Sequence, residues 1–537
     1  MDNKRVLIAL LLSGVILFLY PVVMQRFYPQ AVKKAEKTAE AVKQGEGAAP
    51  EKAVSAPRAG EGATYPGKGP GAKAAAFAPK EEITTVETPL FKAVFTGEGG
   101  GVKSWEIKKY TTAKGTEARA VNLAGAILKE PAFKTGVSSE GLTKTAQMRP
   151  SKNEIVLKGS ETAELVFTGS AGPLRIEKRY VFSADSYTVN TEVNLQNPAA
   201  ARFKGSLVES LASPFTGKEE GGYHAGPLIK ARDKLLRQKE EKEPRKSGSG
   251  KVGWIGLENK YFLTALIPKT EKPLDWETEV SSNMLSKATV KASFEIKPGE
   301  KAVYSYDLFM GPKEYDLLLK HKAGLEEAIE FGYFDFMAKP LLVVLNFFER
   351  YLKNYGLAII LLTVIIKVIF YPLTKHSMKS MKEMQKVQPQ LAAIKEKYKD
   401  NKEKLNKETM ELYKRYKINP LSGCLPMILQ IPVFIALYEV LYVAIELRHA
   451  PFVLWITDLS SKDPYYVTPL LMGATMFVQQ KMTPTSVDPM QSKIMLIMPA
   501  IFTFMFLNFP SGLVIYWLVN NVLSISQQYF INKATAA

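Results

Sequence analysis

Cysteine and histidine are scarce in this chain of 537 residues. The single cysteine, Cys424, excludes an intramolecular disulfide, and four scattered histidines form no spaced cluster for a metal ion. The glycine-rich stretch 97–101 lacks the Gly-Lys-Ser/Thr continuation of a phosphate loop. No motif pairs a nucleophile with a base. The sequence therefore predicts no metal site, no cofactor and no enzymatic reaction.

Excess acidic charge is also missing, and long apolar runs are missing from the middle of the chain. Lys and Arg number 71 against 53 Asp and Glu, a formal net charge of +18. That balance favours anionic partners such as lipid headgroups, nucleic acid or a ribosome surface, without any sign of specific DNA binding. The mean hydropathy is near zero, yet apolar runs concentrate at the two ends. This profile is typical of a membrane protein that carries a large water-soluble domain.

The chain is organised around Leu357–Leu373, which is apolar almost throughout but contains Lys367. A run of this length can cross a bilayer, which needs about 17–25 residues. A lysine near the middle of such a helix costs roughly 2.5–3.5 kcal/mol, so the charge should have a use. Thr363 lies one helical turn earlier on the same face. The structural alternative is that the lysine stem snorkels toward the helix end.

Changes in composition divide the chain into eight segments. They are a first transmembrane anchor (1–25), a flexible linker (26–81), a periplasmic β-sandwich domain (82–325), an interfacial amphipathic helix (326–354), transmembrane span 2 (355–374), a cytoplasmic helical hairpin (375–420), spans 3–6 (421–532) and a cytoplasmic tail (533–537). The first segment also has the basic and apolar regions of a cleavable signal peptide, but no small-residue cleavage site directly follows. The alternative interpretation of segment 326–354 is an ordinary helix packed within the fold.

The predicted β domain shows apolar residues at every second position, for example in Leu174–Phe182 and Tyr187–Val193. Short alternating strands separated by turn signals indicate an antiparallel sandwich. His224 is expected to be a solvated loop histidine, because no carboxylate is placed beside it by a motif. Residues 230–251 are expected to form a charged, mobile loop. The domain carries no catalytic signature, so binding or scaffolding is its predicted role.

The segment from Lys375 to Asn419 holds thirteen Lys and Arg against six Asp and Glu. Apolar residues recur at alternating steps of three and four on both sides of Asp400-Asn401, which predicts two antiparallel helices. Basic residues in a short loop beside membrane spans mark the cytoplasmic side. The hairpin could be only a solvated topology determinant, or it could contact an RNA-rich or acidic partner.

Four further spans are predicted at about 421–446, 465–482, 494–509 and 511–530. Six spans in all would place both termini in the cytoplasm and residues 26–340 in the periplasm of a cell with two membranes. Depth along the spans places Gln430 about as far from the cytoplasmic side as Lys367. Span 6 carries Tyr516 and Trp517 early, then Asn520, Asn521 and Ser524, then Gln527 and Gln528, so several polar groups can share a layer with Lys367. These groups could simply join helices by hydrogen bonds. A lysine without a carboxylate at its level favours instead a groove for a polar or anionic guest.

Glu439 is the tempting counter-ion for Lys367. It lies nine residues beyond Gln430, which is roughly 14 Å further along a helix. That separation argues against an ion pair between the two side chains.

Several ordered motifs resemble the YidC family of membrane protein insertases. They are Thr363…Lys367…Tyr371-Pro372-Leu373-Thr374, Asn419-Pro420-Leu421…Gly423-Cys424…Pro426, Phe452…Trp455…Asp458-Leu459, Asp463-Pro464-Tyr465-Tyr466 and Phe509-Pro510-Ser511-Gly512-Leu513. The resemblance covers residues 330–532 closely, and the preceding β domain resembles the Gram-negative form of the family.

The resemblance implies a five-span core around a hydrophilic groove, open to cytoplasm and lipid, and a periplasmic β-supersandwich. It implies three partners besides the lipid bilayer: the ribosome, the Sec translocon and newly made membrane proteins. The groove charge carries over to Lys367, where bacterial relatives usually have arginine, so the bidentate fork is lost. Substrate contacts carry over to Thr363, Tyr516 and Trp517, the last in place of a more usual tyrosine.

The predicted function is therefore insertion and folding of inner-membrane proteins, alone or with the Sec translocon. A small-solute transporter with a lysine site is the alternative. Such a transporter would show repeated halves and paired broken helices, which the sequence does not display.

Overall fold

The computed structural model describes residues 82–112, 118–124, 130–214, 223–238, 244–281, 285–416, 425–482 and 489–534. The predicted first anchor (1–25), the linker (26–81) and the motif around Cys424 lie outside these residues. Within them the chain forms a β domain followed by a set of helices.

Twenty strands are found in the described part of the β domain. They are β1 Ile83–Glu87, β2 Phe91–Thr96, β3 Gly101–Thr111, β4 Ala120–Asn122, β5 Phe133–Ser139, β6 Leu142–Thr145, β7 Gln147–Pro150, β8 Glu154–Val156, β9 Thr162–Ala171, β10 Leu174–Ser183, β11 Thr188–Gln196, β12 Phe203–Pro214, β13 Gly226–Ala231, β14 Lys234–Arg237, β15 Arg245–Gly250, β16 Val252–Glu258, β17 Phe262–Pro268, β18 Leu274–Ser281, β19 Leu285–Ile296 and β20 Lys301–Pro312.

The strands form two sheets. One has the order β15-β18-β19-β12-β5-β3-β2-β1-β8, with β4 beside β3 and β6 beside β5. The other has the order β14-β13-β16-β17-β20-β11-β10-β9-β7. The β1–β8 pair is parallel, and the other pairs between described strands are antiparallel. Phe95 of the first sheet packs 5.0 Å from Tyr180 of the second, centroid to centroid, so the sheets face each other across an apolar core. The alternation seen in the sequence is the inward and outward alternation of these strands.

The expectation of a loop over 230–251 is wrong in part. β14 and β15 lie in this stretch and pair with β13 and β18. Both are outermost strands of their sheets. Edge strands tolerate charged residues and glycine because one side faces solvent, and charge there also discourages pairing with another chain. The charge density that suggested a loop is therefore a property of sheet edges.

A lysine and a glutamate meet inside the sandwich. The Lys178 ammonium on β10 lies 3.7 Å from a carboxylate oxygen of Glu209 on β12, and neither side chain is exposed to solvent. Thr135 donates its hydroxyl to the Glu209 carboxylate at 2.8 Å. Lys178 also donates to the carbonyl of Gly99 and lies 3.9 Å from the centroid of the Phe133 ring. Burial raises the pKa of Glu209 and lowers the pKa of Lys178 to about 8.

Eight helices follow the last strand in the described part of the chain. They are α1 Tyr315–Leu319, α2 Asp335–Leu352, α3 Tyr355–Lys397, α4 Lys402–Arg415, α5 Leu425–Val443, α6 Val467–Met482, α7 Pro489–Phe506 and α8 Ser511–Ala534. Short 3₁₀ turns lie at Leu325–Ala328, Gly332–Phe334 and Ile445–Leu447.

α2 has two unlike faces. Ala338, Leu342 and Leu345 are buried on one face, and the helix packs against α3 and α5 there. The opposite face exposes Phe347 and Tyr351. One face of the helix is therefore packed in the fold and the other presents aromatic rings outward, and its place in a membrane interface stays a prediction.

α3 starts at Tyr355, where the side chain of Asn354 accepts a hydrogen bond from the Leu357 amide and caps the helix. Its apolar part is long and apolar enough to cross a membrane, the one such helix among the described residues. Shorter apolar stretches occupy Gln430–Val443 in α5 and Leu496–Phe506 in α7. α3 continues beyond its apolar part and packs on α4 through Val387 and Leu412. The helix has no break at the 374/375 boundary drawn from the sequence.

Side chains connect the β domain to the helices directly. The Tyr223 hydroxyl donates to Glu439 on α5 at 2.7 Å. Arg448, just after the turn that follows α5, donates to the carbonyl of Thr111 on β3 at 2.9 Å. These polar contacts fix the sandwich against one end of the helical bundle, the same end at which α3 begins.

Candidate functional site

Lys367 is half-buried on α3 and reaches across to α8. Its ammonium donates a hydrogen bond to the Ser524 hydroxyl at 2.7 Å. Ser524 donates in turn to the backbone carbonyl of Asn520, one turn earlier, at 2.7 Å. No charged side chain of the described residues acts on Lys367. The ammonium is therefore hydrogen-bonded to a neutral hydroxyl, and it forms no ion pair with a carboxylate of the described residues.

Glu439 is engaged elsewhere. Its carboxylate accepts the hydroxyl of Tyr223 from the β domain, and it makes no ion pair with Lys367. The distance argument from the sequence is thereby confirmed. The carboxylate of Glu439 thus joins α5 to the β domain, a long-range contact that no local sequence pattern indicates.

Thr363 and Tyr516 are both buried. Thr363 donates its hydroxyl to the carbonyl of Ile359 at 2.6 Å, within its own helix. Gln430 on α5 donates its side-chain amide to the Tyr516 hydroxyl on α8. Tyr516 exposes 1% of its surface. The Gln430–Tyr516 bond joins α5 to α8, whereas the Thr363 bond stays within α3, and both buried side chains present little surface to a guest in this conformation.

Trp517 faces a different direction from Tyr516. Its ring lies 4.7 Å from Phe434 on α5 and 5.3 Å from Phe506 on α7, centroid to centroid. Successive helix positions are rotated by about 100° because a turn holds 3.6 residues. Trp517 therefore packs against aromatic rings of α5 and α7. Counting residues along a span estimates the depth of a residue in the membrane, but not the direction in which its side chain points.

Polar atoms without partners lie beside this network. Asn520 Oδ1 and Gln527 Oε1 on α8, and Gln480 Nε2 on α6, are buried and have no hydrogen-bond partner within the described part of the chain. Each such atom costs about 1–3 kcal/mol if it stays unpaired. Water or a polar guest chain would remove that cost. The sequence analysis did not include Gln480 among the site residues, because it lies near the end of the predicted span 465–482.

His224 is not the solvated histidine expected from the sequence. It is largely buried, its Nε2 lies 3.1 Å from the carbonyl of Pro227, and burial lowers its pKa. The glycine-rich surroundings suggested exposure. The charges of Glu258, Arg237 and Lys313 act on the ring, so a carboxylate lies near it although no sequence motif placed one there.

A β-sandwich joined to a helical bundle, with an apolar helix that holds an uncompensated lysine among polar side chains, defines a membrane-embedded protein with a large extramembrane domain. Family models match in two parts: the YidC periplasmic domain over residues 83–344 and the 60Kd inner membrane protein over residues 347–537. The chain belongs to the YidC family of membrane protein insertases, and membrane protein insertion is its function.

Relatives in that family match along their whole length. The membrane protein insertase YidC of Syntrophus aciditrophicus is 42% identical, with 99% of each chain covered. The corresponding protein of Geotalea daltonii is 41% identical, with 100% of each chain covered. The resemblance predicted from the motifs is confirmed.

Solved structures are more distant. A crystal structure of an active YidC insertase with its first transmembrane domain resolved is 20% identical, covers 84% of this chain and 95% of that one, and has a TM-score of 0.38. A galactose mutarotase-like protein from Lactobacillus casei is 9% identical, covers 43% of this chain and 100% of that one, and has a TM-score of 0.32. Neither likeness is strong enough to carry an argument about function.

Proposed function

We propose that the polar surface around Lys367 is the groove that shelters the hydrophilic part of a client protein as it crosses the membrane. The observation that carries the proposal is the environment of the lysine, whose ammonium has the Ser524 hydroxyl as its partner and no carboxylate beside it among the described residues. A half-buried cation with a neutral partner can exchange that partner for an acidic residue at low cost. The buried Asn520 and Gln527 oxygens without partners supply acceptors for a passing backbone.

The physics of insertion divides the client into two parts. Its apolar segment enters lipid downhill through the hydrophobic effect, and no covalent chemistry is needed. The barrier is the polar flank, because polar groups are costly to bury without hydrogen bonds. A hydrated groove shortens the dry path, and the membrane potential favours outward movement of negative charge by about 2.3 kcal/mol per charge per 100 mV. The protein therefore acts as a non-enzymatic insertase and chaperone.

The arrangement in the membrane follows from the same proposal. α3, α5, α6, α7 and α8 form the five-helix core, and the segment 1–25 adds a sixth span. Both termini and the basic hairpin of α3 and α4 lie in the cytoplasm, and residues 26–340 lie in the periplasm. The thirteen basic residues between Lys375 and Asn419 support this orientation. They also suit the ribosome as a partner, with the Sec translocon as a second partner and nascent inner-membrane proteins as clients.

Crosslinking from α8 tests the groove. With a photoreactive amino acid at Asn520, ribosome-bound nascent membrane proteins should crosslink several-fold more strongly than with the same probe at Val522. Asn520 lies one turn before Ser524, the partner of Lys367, and its side-chain oxygen has no partner among the described residues, whereas Val522 is 46% exposed and lies about 200° around the helix. The measurement is the yield of crosslinked chain on a gel at matched expression.

Val522 is a demanding control because it is the more exposed position. Exposure alone would favour it. Equal yields from the two positions, or a stronger yield from Val522, would contradict the groove. Tyr516 is a poorer probe position than Asn520 because its side chain is fully enclosed and bonded to Gln430.

A further inference from the structure

A second polar cavity lies between the β domain and the helices, at the end of the bundle where α3 begins. Its volume is about 460 Å³, within the range of small-molecule sites. β3, α1, α2, the start of α3 and the turn after α5 all contribute to its walls. It is separate from the groove around Lys367, and nothing in the insertion mechanism uses it.

The cavity contains more carboxylate than cation. Glu314, Asp316, Glu349 and Glu446 face it, together with Lys109, Arg350 and Arg448. The cations are already occupied. Lys109 pairs with Glu314 at 2.7 Å, Arg350 pairs with Asp316 at 2.6 Å, and Arg448 donates to the carbonyl of Thr111.

Two carboxylates therefore lack a cation. Glu446 accepts the Tyr315 amide at 2.9 Å through one oxygen, while its other oxygen is buried and has no partner in the described part of the chain. Glu349 forms no side-chain hydrogen bond or ion pair with a described residue. A carboxyl left in this condition is a good acceptor for a cation with several N–H donors.

The rim of the cavity is suited to a lipid. Arg350 is 64% exposed at its side chain, next in sequence to Glu349, and can reach a phosphate while it pairs with Asp316. Phe347 and Tyr351 lie outside the cavity lining, about 60° and 100° around the same helix from Arg350, and are exposed with their ring centroids 5.0 Å apart. Aromatic side chains of this kind sit at the level of lipid headgroups.

We propose that this cavity binds the headgroup of a phosphatidylethanolamine molecule from the leaflet beside the β domain. The primary ammonium donates to Glu446 and Glu349, the phosphate contacts Arg350, and the acyl chains leave past Phe347 and Tyr351. The bound lipid joins the sandwich to the bundle. A trimethylated choline headgroup lacks N–H donors, and a glycerol headgroup lacks the positive charge, so both should bind weakly.

The test uses the full-length protein, purified in detergent and stripped of lipid. Short-chain phosphatidylethanolamine, phosphatidylcholine and phosphatidylglycerol with identical acyl chains are titrated in turn, and bound lipid is counted by native mass spectrometry. The affinity for the ethanolamine lipid should exceed the affinity for each of the other two by about tenfold or more. Glu446→Gln and Glu349→Gln should each weaken it by about tenfold to a hundredfold, the range for loss of a hydrogen bond to a charged group.

Glu154→Gln is the matched control, since Glu154 is exposed on β8 and does not line the cavity; its affinity should equal that of the unchanged protein. Glu349→Gln keeps the test decisive if Glu446→Gln folds poorly, because the Glu349 side chain supports no other described group. Equal binding of the three lipids would overturn the proposal, as would an ethanolamine preference unchanged in both variants. A cavity that holds only water would give the first of these results.

Discussion

Lys367→Glu should abolish insertion of a short client with an acidic translocated tail, whereas Lys367→Arg should preserve it. Arginine keeps the positive charge opposite Ser524. Glutamate replaces an attraction by a repulsion. Two unit charges 4 Å apart interact by about 4 kcal/mol at an effective dielectric constant of 20, so the loss should be roughly a thousandfold or more. The measurement is protease protection of the tail in reconstituted vesicles.

Ser524→Ala gives the matched control for this prediction. It removes the hydrogen-bond partner of Lys367 but leaves the charge, so insertion of the acidic client should fall only slightly. A client with a neutral tail should be less sensitive to Lys367→Glu than the acidic client. Equal activity of the Arg and Glu variants on the acidic client would rule out a role for the charge.

Lys178→Met should destabilise the β domain by about 3–5 kcal/mol, because it leaves the Glu209 carboxylate buried without its cation. Lys178→Met combined with Glu209→Gln should recover most of that loss, since the amide oxygen still accepts from Thr135 and no charge remains. Unfolding of the full-length protein in detergent measures both values. The signal is the fluorescence of the buried Trp105 and Trp254.

The pH dependence of the single variant has a definite sign. Burial raises the pKa of Glu209 in the folded protein above that of the unfolded chain. Without Lys178 the carboxyl can fold readily only in its protonated form, so the defect should shrink as the pH is lowered toward the unfolded pKa and grow as the pH rises through the folded one.

An exposed ion pair supplies the comparison. Lys108 and Glu87 are 2.8 Å apart, with side-chain exposures of 38% and 40%. Lys108→Met should cost much less than Lys178→Met, because exposed ion pairs contribute little to stability. Two results would contradict the prediction: an equal loss of stability in Lys178→Met and Lys108→Met, or a double variant as unstable as Lys178→Met. Either result would show that an unpaired buried carboxylate is not the cause of the instability.

Much of the architecture follows from local patterns. The period of two in Leu174–Phe182 matches β10, and the apolar run around Lys367 matches the first part of α3. The ordered motifs identified the family, which the relatives confirm. The loop predicted over 230–251 was wrong in part, because edge strands and loops are both rich in charged residues and glycine.

Partner choice could not be read in the same way. Lys178 falls on the inward phase of an alternating strand, where the pattern calls for an apolar residue, yet Glu209 comes from the opposite sheet to meet it. Tyr223 finds Glu439 at a separation of 216 residues. Trp517 turns toward Phe434 instead of following Tyr516. Each outcome depends on how sheets and helices are placed, which a window of neighbouring residues does not contain.

Periodicity and hydropathy act over neighbouring residues, so the amino-acid sequence was enough to indicate the family, the β and helical regions, and a lysine inside an apolar helix. Folding brings Ser524 to that lysine, brings Glu439 to the β domain, and leaves one buried Glu446 oxygen without a partner among the described residues. Hydrogen bonds and burial are set by distances of a few ångströms between residues far apart in the chain, and those distances exist only after folding.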